Sequence, residues 1–323
     1  MTTYKEIYGT NVEVLASDPS NPVEGQIWYN STSQTLKGYA LVAGSWATAG
    51  PLNTARRNLT GAGIQTAGLA IGGNPGPAVT GATESYNGTA WTTSPGSLNT
   101  AREYLAGAGT NTAALVFGGG AAPPITGDTE SYNGTTWTEL NNLNTARGYI
   151  AGCGAINTAA LGFGGYSTAY VANTESWNGT SWTELNDLNT ARETAGAGTN
   201  TAALAFGGYS TGPTGITESW NGTSWTEVND LNTVRSALAG AGTNTAALAF
   251  GGLTTGPSIL KNTESWNGTS WTELNDLNTQ RFYLAGDGTN TAALAFGGAT
   301  PPVVASTEEW SGPAVRTVNI TVS

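Results

Sequence analysis

The sequence predicts an all-β fold: a six-bladed β-propeller of four-stranded antiparallel blades, closed by the chain termini, with seven blades as the alternative. Three observations predict it. LNTAR or a close variant recurs six times, its arginine at Arg56, Arg102, Arg147, Arg192, Arg235 and Arg281, with spacings of 46, 45, 45, 43 and 46 residues. That period is the length of one four-stranded blade. A glycine pair follows each arginine in step, from Gly72 and Gly73 to Gly297 and Gly298, and after a variable stretch comes TES(Y/W)NGT(S/A/T)W or its terminal variant TEEWSG.

Turn chemistry divides each repeat into four strands, and the second repeat serves as the example. Residues 105–109 form strand a and residues 112–117 strand b, joined at Thr110 and Asn111. Both are rich in Ala and Gly, which suits strands crowded around an axis where large side chains would collide. Residues 129–132 form strand c and residues 135–139 strand d, with Asn133 and Gly134 between them as a two-residue type I′ turn. Such a turn sets Tyr132 opposite Thr135 and Glu130 opposite Trp137, leaving the two rings as diagonal neighbours on one face.

The repeats start near residues 52, 98, 143, 188, 231 and 277. Upstream of them, residues 35–48 align with a c–d hairpin, with Tyr39 and Trp46 in the aromatic positions. The chain therefore has one c–d unit more than it has a–b units. Residues 25–50 are expected to close the ring beside a C-terminal strand over residues 315–322, or to form part of a seventh blade. The propeller is expected to span residues 25–323, and residues 1–24 to be an attachment segment.

An arginine before an inner strand, a Gly-Gly ending the second strand, an aromatic in the third and a Trp in the fourth resemble the kelch repeat, from about residue 50 to the end. The N-terminal segment GQIWYNSTSQTLKGYALVAGSWATAG resembles short modules of bacteriophage tail and virion proteins, and arrays of NTAR and NGTSW resemble those of marine phages. These resemblances imply a virion protein assembled in the host cytoplasm, in a tail or capsid fibre. Its partners would be other virion proteins and a host surface glycan or receptor.

Composition narrows the function. A formal charge of −11 with no basic cluster argues against nucleic acid and against anionic membrane surfaces, which need Lys or Arg to displace counterions. The lone Cys153 excludes an intrachain disulfide and a thiolate metal site, and the absence of histidine removes the commonest general base and metal ligand. No cofactor or metal is expected. The N-terminus has neither a basic nor an apolar leader region, and no run approaches a membrane span, so the chain reads as soluble and not exported by a signal peptide.

Six repeat glutamates, Glu84, Glu130, Glu175, Glu218, Glu264 and Glu308, stand in register with the six arginines. The expected role of this set is a structural ring, because planar multi-donor guanidinium groups tie backbone and carboxylates together. Glu139, Glu184, Glu227 and Glu273, with Asp187, Asp230 and Asp276, recur blade after blade in the d-to-a connection. A catalytic carboxylate pair is normally unique, so turn and capping roles are expected there and the chain is read as non-enzymatic. Cys153 stands where Ala108 stands in the second repeat and is expected to be a small buried filler.

The b-to-c loops, residues 74–82, 120–128, 166–173, 209–216, 253–262 and 299–306, differ most between repeats. Variable loops on a repeated scaffold are the usual place for recognition. Tyr166, Tyr170, Tyr209, Lys261 and Asp128 are the candidate ligand-binding residues, with the tyrosines suited to stacking on sugar faces. The function expected is a binding module recognising a host surface or glycan. The alternative is a purely structural virion component, and a glycan-cleaving enzyme is the weakest reading.

Overall fold

The structure is a computed structural model that describes residues 12–120, 124–256 and 258–321. Its strands in chain order are β1 (Glu13–Leu15), β2 (Ile27–Asn30), β3 (Thr35–Val42), β4 (Ser45–Ala49), β5 (Thr60–Ile64), β6 (Ala67–Ile71), β7 (Thr83–Tyr86) and β8 (Trp91–Thr93). Next come β9 (Ala106–Thr110), β10 (Ala113–Phe117), β11 (Thr129–Tyr132), β12 (Trp137–Leu140), β13 (Ala151–Ile156), β14 (Ala159–Phe163), β15 (Thr174–Trp177), β16 (Trp182–Glu184), β17 (Glu193–Gly198) and β18 (Ala203–Tyr209). The last ten are β19 (Thr217–Trp220), β20 (Trp225–Val228), β21 (Ala239–Gly242), β22 (Ala247–Phe250), β23 (Thr263–Trp266), β24 (Trp271–Glu273), β25 (Ala285–Gly288), β26 (Ala292–Phe296), β27 (Thr307–Ser311) and β28 (Ala314–Asn319).

The described residues contain no helix and form seven four-stranded sheets, the count of the seven-blade alternative and not of the six-blade one. The chain divides into two compact units. One, Ser45–Ser311, holds six sheets, all antiparallel: β5 to β8, β9 to β12, β13 to β16, β17 to β20, β21 to β24, and β25-β26-β27 completed by β4. The other comprises the described residues up to Gly44 and from Gly312 onward, and holds the sheet β1-β2-β3-β28, in which β1 and β2 run parallel.

Within Ser45–Ser311 the six first strands touch in a closed circuit, β5 to β9, β13, β17, β21, β25 and back to β5. The Ala and Gly content of these strands permits the approach: a Cβ on Gly107 would stand 2.3 Å from the carbonyl oxygen of Gly61 in the neighbouring sheet. Bulk is supplied by the outer strands. Trp137 packs on Tyr132 at 4.9 Å between ring centroids, and Trp182 on Phe117 of the preceding sheet at 4.7 Å.

Two families of hydrogen bonds run around the same circuit. Each outer-strand tryptophan donates its indole N–H to the hydroxyl of a threonine in the preceding sheet: Trp137 to Thr83, Trp182 to Thr129, Trp225 to Thr174, Trp271 to Thr217, Trp46 to Thr263 and Trp91 to Thr307, at 2.9–3.1 Å. The second glycine of each pair donates its N–H to the repeat arginine's carbonyl in the next sheet, from Gly73 to Arg102 through Gly298 to Arg56, at 2.8–2.9 Å. Only glycine serves there. Gly118 and Gly119 lie at φ of 67° and 87°, and a Cβ on Gly118 would stand 2.7 Å from the Arg147 carbonyl oxygen.

Two sequence expectations are corrected. The c–d connection is not a two-residue turn, because Tyr132 pairs directly with Trp137 and Glu130 with Glu139. The Asn133 side-chain oxygen accepts the N–H groups of Thr135 and Thr136 at 3.0 and 2.8 Å, an Asx turn that lengthens the loop to residues 133–136. The second correction is that residues 25–50 are not one hairpin. β3 pairs with β2 and β28, whereas β4 pairs with β27, setting Trp46 opposite Trp310. The closing strand is thus β4 alone, and the C-terminal strand β28 joins β3; residue 322 of the expected 315–322 strand lies outside the described residues. Of the expected 1–24 segment, residues 1–11 also lie outside them.

In the unit formed by the two chain ends, Trp28 is fully buried and its indole N–H donates to Asp18, which also accepts from Asn30 and Lys37. These bonds, that from Lys37 foremost, hold the Asp18 carboxyl down at about 2.

Candidate functional site

The six arginines and six glutamates meet as buried ion pairs, with nitrogen and oxygen 2.5–3.2 Å apart. Each glutamate lies in strand c of the arginine's own repeat, and also accepts backbone N–H groups of the LNT segment; Glu264 takes those of Asn232 and Thr233 at 2.7 and 3.3 Å. The guanidinium donates onward to carbonyl groups of its sheet, Arg235 to Asn262 and Ala249 among them. No face of these arginines is left open to an anion, since all six are fully buried. The recurring acidic residues of the d-to-a connection cap neighbouring backbone, as Asp187 does for the Thr174 N–H and Asp230 for the Thr217 N–H.

The five loop-face candidates separate. Asp128 lies 3.6 Å from Arg102 and accepts from Asn142, so it serves its own blade. Lys261 makes an exposed pair with Asp276 at 3.5 Å. Tyr166, Tyr170 and Tyr209 come together: ring centroids of Tyr166 and Tyr170 are 5.3 Å apart, and those of Tyr170 and Tyr209 5.7 Å. Tyr166 is bridged to Gly148 and Tyr209 is paired with Glu193, so loops of repeats three and four build one aromatic surface beside the start of their inner strands.

Next to it lies a site that the loop argument missed. The second residue after the repeat arginine is Asn58, Tyr104, Tyr149, Ala237 or Tyr283 in five repeats, each held at a φ of 52–60°. This conformation is costly for a side-chain-bearing residue and aims these positions at the axis. The fourth repeat differs: 15 residues separate Arg192 from Gly207, against 16 from Arg235 to Gly251. The shortened chain starts β17 already at Glu193, with a register shift between Glu193 and Ala195. Glu193 thereby joins Asn58, Tyr104, Tyr149, Ala237 and Tyr283 around a cavity of about 120 Å³.

The rings are close. Tyr104 stacks on Tyr149 at 3.8 Å, and Tyr283 stands edge-on to Tyr104 at 5.8 Å. Glu193 is 8% exposed, and no ion pair among the described residues includes it. Desolvation raises its carboxyl to about 7, against the Ala237 backbone N–H, which donates to it and favours the charged form. Burial also raises the Tyr104, Tyr149 and Tyr283 hydroxyls, and that of Tyr170 to about 12. The signal was present in the sequence, because these positions vary inside an otherwise uniform NTAR-to-AGAG stretch.

The inner strands enclose a second, larger cavity of about 560 Å³ whose lining carries a single charged residue, Asp287. Asp287 takes the place that Ala241 and Ala62 hold in the neighbouring inner strands. Its carboxylate lies against Gly61, and its Oδ2, without a hydrogen-bond partner, is 3.5 Å from where a Cβ on Gly68 would be. Gly68 stands where other repeats have alanine, as at Ala114 and Ala293, so one missing methyl makes room for the acid. Burial raises the Asp287 carboxyl well above its ordinary 3.8. We expect Asp287→Ala to stabilise the chain by about 1–3 kcal/mol at neutral pH, since it removes an unpaired buried polar group. A raised folded pKa gives stability that is full below 3.8 and is lost as pH rises through the folded value. Urea unfolding between pH 3.5 and 8 should show this slope in the parent chain and its reduction in the variant; an unchanged slope would contradict the assignment.

Cys153 is free and buried, with its thiol raised by desolvation and directed at the Thr199 carbonyl at 3.3 Å, a filler with no base beside it. No group of three or more His, Cys, Asp or Glu residues suited to a metal occurs among the described residues. No protein-family model matches the chain, and none of the curated proteins compared with it matches.

Proposed function

We propose that the chain is a non-enzymatic recognition module: a kelch-like β-propeller of a bacteriophage virion that binds a host surface glycan or receptor through its loop face. One observation carries the recognition reading, the convergence of Tyr166, Tyr170 and Tyr209 into one surface. Tyrosine rings present large, rigid, amphipathic area at low entropic cost, and sugar faces stack on them. The propeller reading is supported by the recurring repeats, by the closed circuit of inner strands in Ser45–Ser311 and by interblade bonds that return from the last repeat to the first. The formal charge of −11 argues against nucleic acid and anionic membrane as partners.

Attachment to other virion proteins is assigned to the unit formed by the chain ends. Val12, Val14, Val23, Ile27 and Leu41, all in that unit, are five of the exposed large apolar residues of the described chain. A structural role as a virion decoration rests on the same feature.

The test is binding of fluorescently labelled chain to candidate host cells and to a glycan array, beside a variant with Tyr166, Tyr170 and Tyr209 all replaced by alanine. We expect at least a tenfold loss of affinity in the variant with its melting temperature little changed. Binding that survives the three substitutions, or none to any cell or glycan, would leave the structural reading in its place.

A further inference from the structure

The axial cavity next to the loop surface has the chemistry of a cation site. Its wall combines three tyrosine rings, an amide from Asn58 and the carboxylate of Glu193, inside about 120 Å³. Asn58 donates its Nδ2 to Glu103 at 2.5 Å, while its Oδ1 has no hydrogen-bond partner, so the wall holds a neutral acceptor beside the Glu193 carboxylate. No basic side chain lines this cavity.

Such an arrangement is unfavourable when empty. A carboxylate that is nine-tenths buried without a counter-charge loses its hydration and regains only the Ala237 amide. A positive ligand restores the missing interaction, and the ring faces add an attraction that strengthens where water is excluded. A strongly hydrated metal ion would need several charged oxygen ligands, and this wall offers one carboxylate and the Asn58 amide oxygen among tyrosine rings and aliphatic side chains. A weakly hydrated organic cation asks only for apolar aromatic walls and one negative group. The asymmetry matters too: five repeats place a neutral residue at the axis, and the single-residue shortening of the fourth repeat delivers the only acid.

We propose that the axial cavity formed by Tyr104, Tyr149, Tyr283, Asn58 and Glu193 binds a small organic ammonium group, quaternary or protonated, with Glu193 as its counter-ion. This goes beyond the glycan reading and does not depend on it, because Glu193 can be altered with the loop tyrosines in place, and Tyr166 with the cavity in place.

Ionisation of Glu193 ties the binding to pH. The titratable groups facing it are Tyr209 across the strand pair, Tyr170 from the adjacent loop, and Tyr149, Tyr104 and Tyr283 around the cavity; Glu103 and Arg57 lie behind Tyr104. With Tyr104, Tyr149, Tyr170 and Tyr283 held neutral by burial, the carboxyl at about 7 is the group among these shifted ones that changes charge between pH 5.5 and 8. The cation prefers the ionised form, so its affinity rises with pH over this range and its binding releases a proton.

The experiment is calorimetric titration of the whole chain with choline chloride, at constant ionic strength set by sodium chloride, beside its uncharged carbon analogue 3,3-dimethylbutan-1-ol. We expect saturable choline binding, at least tenfold tighter than the alcohol and severalfold tighter at pH 8 than at pH 5.5. Glu193→Gln keeps the shape and removes the charge; it should fold, lose at least tenfold in choline affinity, and lose the pH dependence. Absence of saturable choline binding would overturn the proposal, as would an alcohol that binds equally well or a Glu193→Gln chain that binds unchanged. The alcohol and pH arms need no variant. Tyr166→Ala, which removes the loop tyrosine that does not face Glu193, should still bind choline, which separates failure here from failure of glycan recognition.

Discussion

Trp46→Ala is expected to lower stability by about 3–5 kcal/mol, the range for truncating a large buried aromatic. The ring of Trp46 lies 5.0 Å from Phe250 and 5.4 Å from Trp310, and its N–H holds Thr263, 217 residues away in sequence. Trp137→Ala removes an equivalent side chain from the second repeat, with its own bond to Thr83. The two variants should lose similar contact energy and yet behave differently. Trp137 belongs to a sheet whose four strands are consecutive, whereas Trp46 belongs to the one strand that joins the start of Ser45–Ser311 to its end. Losing it frees the ends, so amide exchange should rise through β25, β26 and β27 well before global unfolding. Hydrogen exchange with urea unfolding on both variants checks this. Equal protection of β27 in the two, or a Trp46→Ala loss below about 1 kcal/mol, would show that β4 does not hold the ring shut.

Glu264→Ala should cost about 3–5 kcal/mol, the range for breaking a buried ion pair from one side. Its oxygens serve Arg235 at 3.0 Å, the Asn232 N–H at 2.7 Å, the Asn232 side chain at 2.9 Å and the Thr233 N–H at 3.3 Å. The fully buried Arg235 is left with its charge uncompensated, whereas Asn232 is exposed and its donors can turn to water. The guanidinium cannot escape by deprotonating: burial lowers it from its ordinary value, but with Glu264 gone the nearby Glu273 and Asp276 still oppose that shift. Exchanging both partners, Arg235→Met with Glu264→Leu, removes the orphaned charge and should be less damaging than Glu264→Ala alone. A double-variant cycle read by chemical unfolding gives the coupling. A single variant within about 1 kcal/mol of the parent would mean the pair is solvated.

Much of the fold was legible because each repeat carries its own instructions. The Asn-Gly turns recur five times and the glycine pairs and the Arg–Glu register six times, and repetition turns weak local signals into a strong one. The turn at Asn133 was misread by two residues, since Asn-Gly serves the two-residue hairpin and the Asx-turn loop alike; the side-chain bonds to Thr135 and Thr136 decide between them. Residues 35–48 were misread for a different reason. Tyr39 and Trp46 fit a hairpin pattern, but β3 finds β28 and β4 finds β27, partners that become available only when the ends of the chain meet.

The candidate site divides along the same line. Tyr166, Tyr170 and Tyr209 were found from loop variability, and Asp128 and Lys261 were drawn into pairs by Arg102 and Asp276. Tyr104, Tyr149, Tyr283 and Glu193 were overlooked because they lie in the short run between the repeat arginine and the inner strand, outside the b-to-c loops on which the recognition reading rested.

What the sequence by itself determined is the blade: its strands and its Arg–Glu lock, set by contacts within one repeat of 43–46 residues, and the glycine pair that meets the arginine of the next repeat. Only the tertiary structure decided which strand closes the ring, which tyrosines meet and that Glu193 loses its water. Those outcomes depend on six repeats converging on one axis, and a side chain's distance from that axis is a property no single repeat contains.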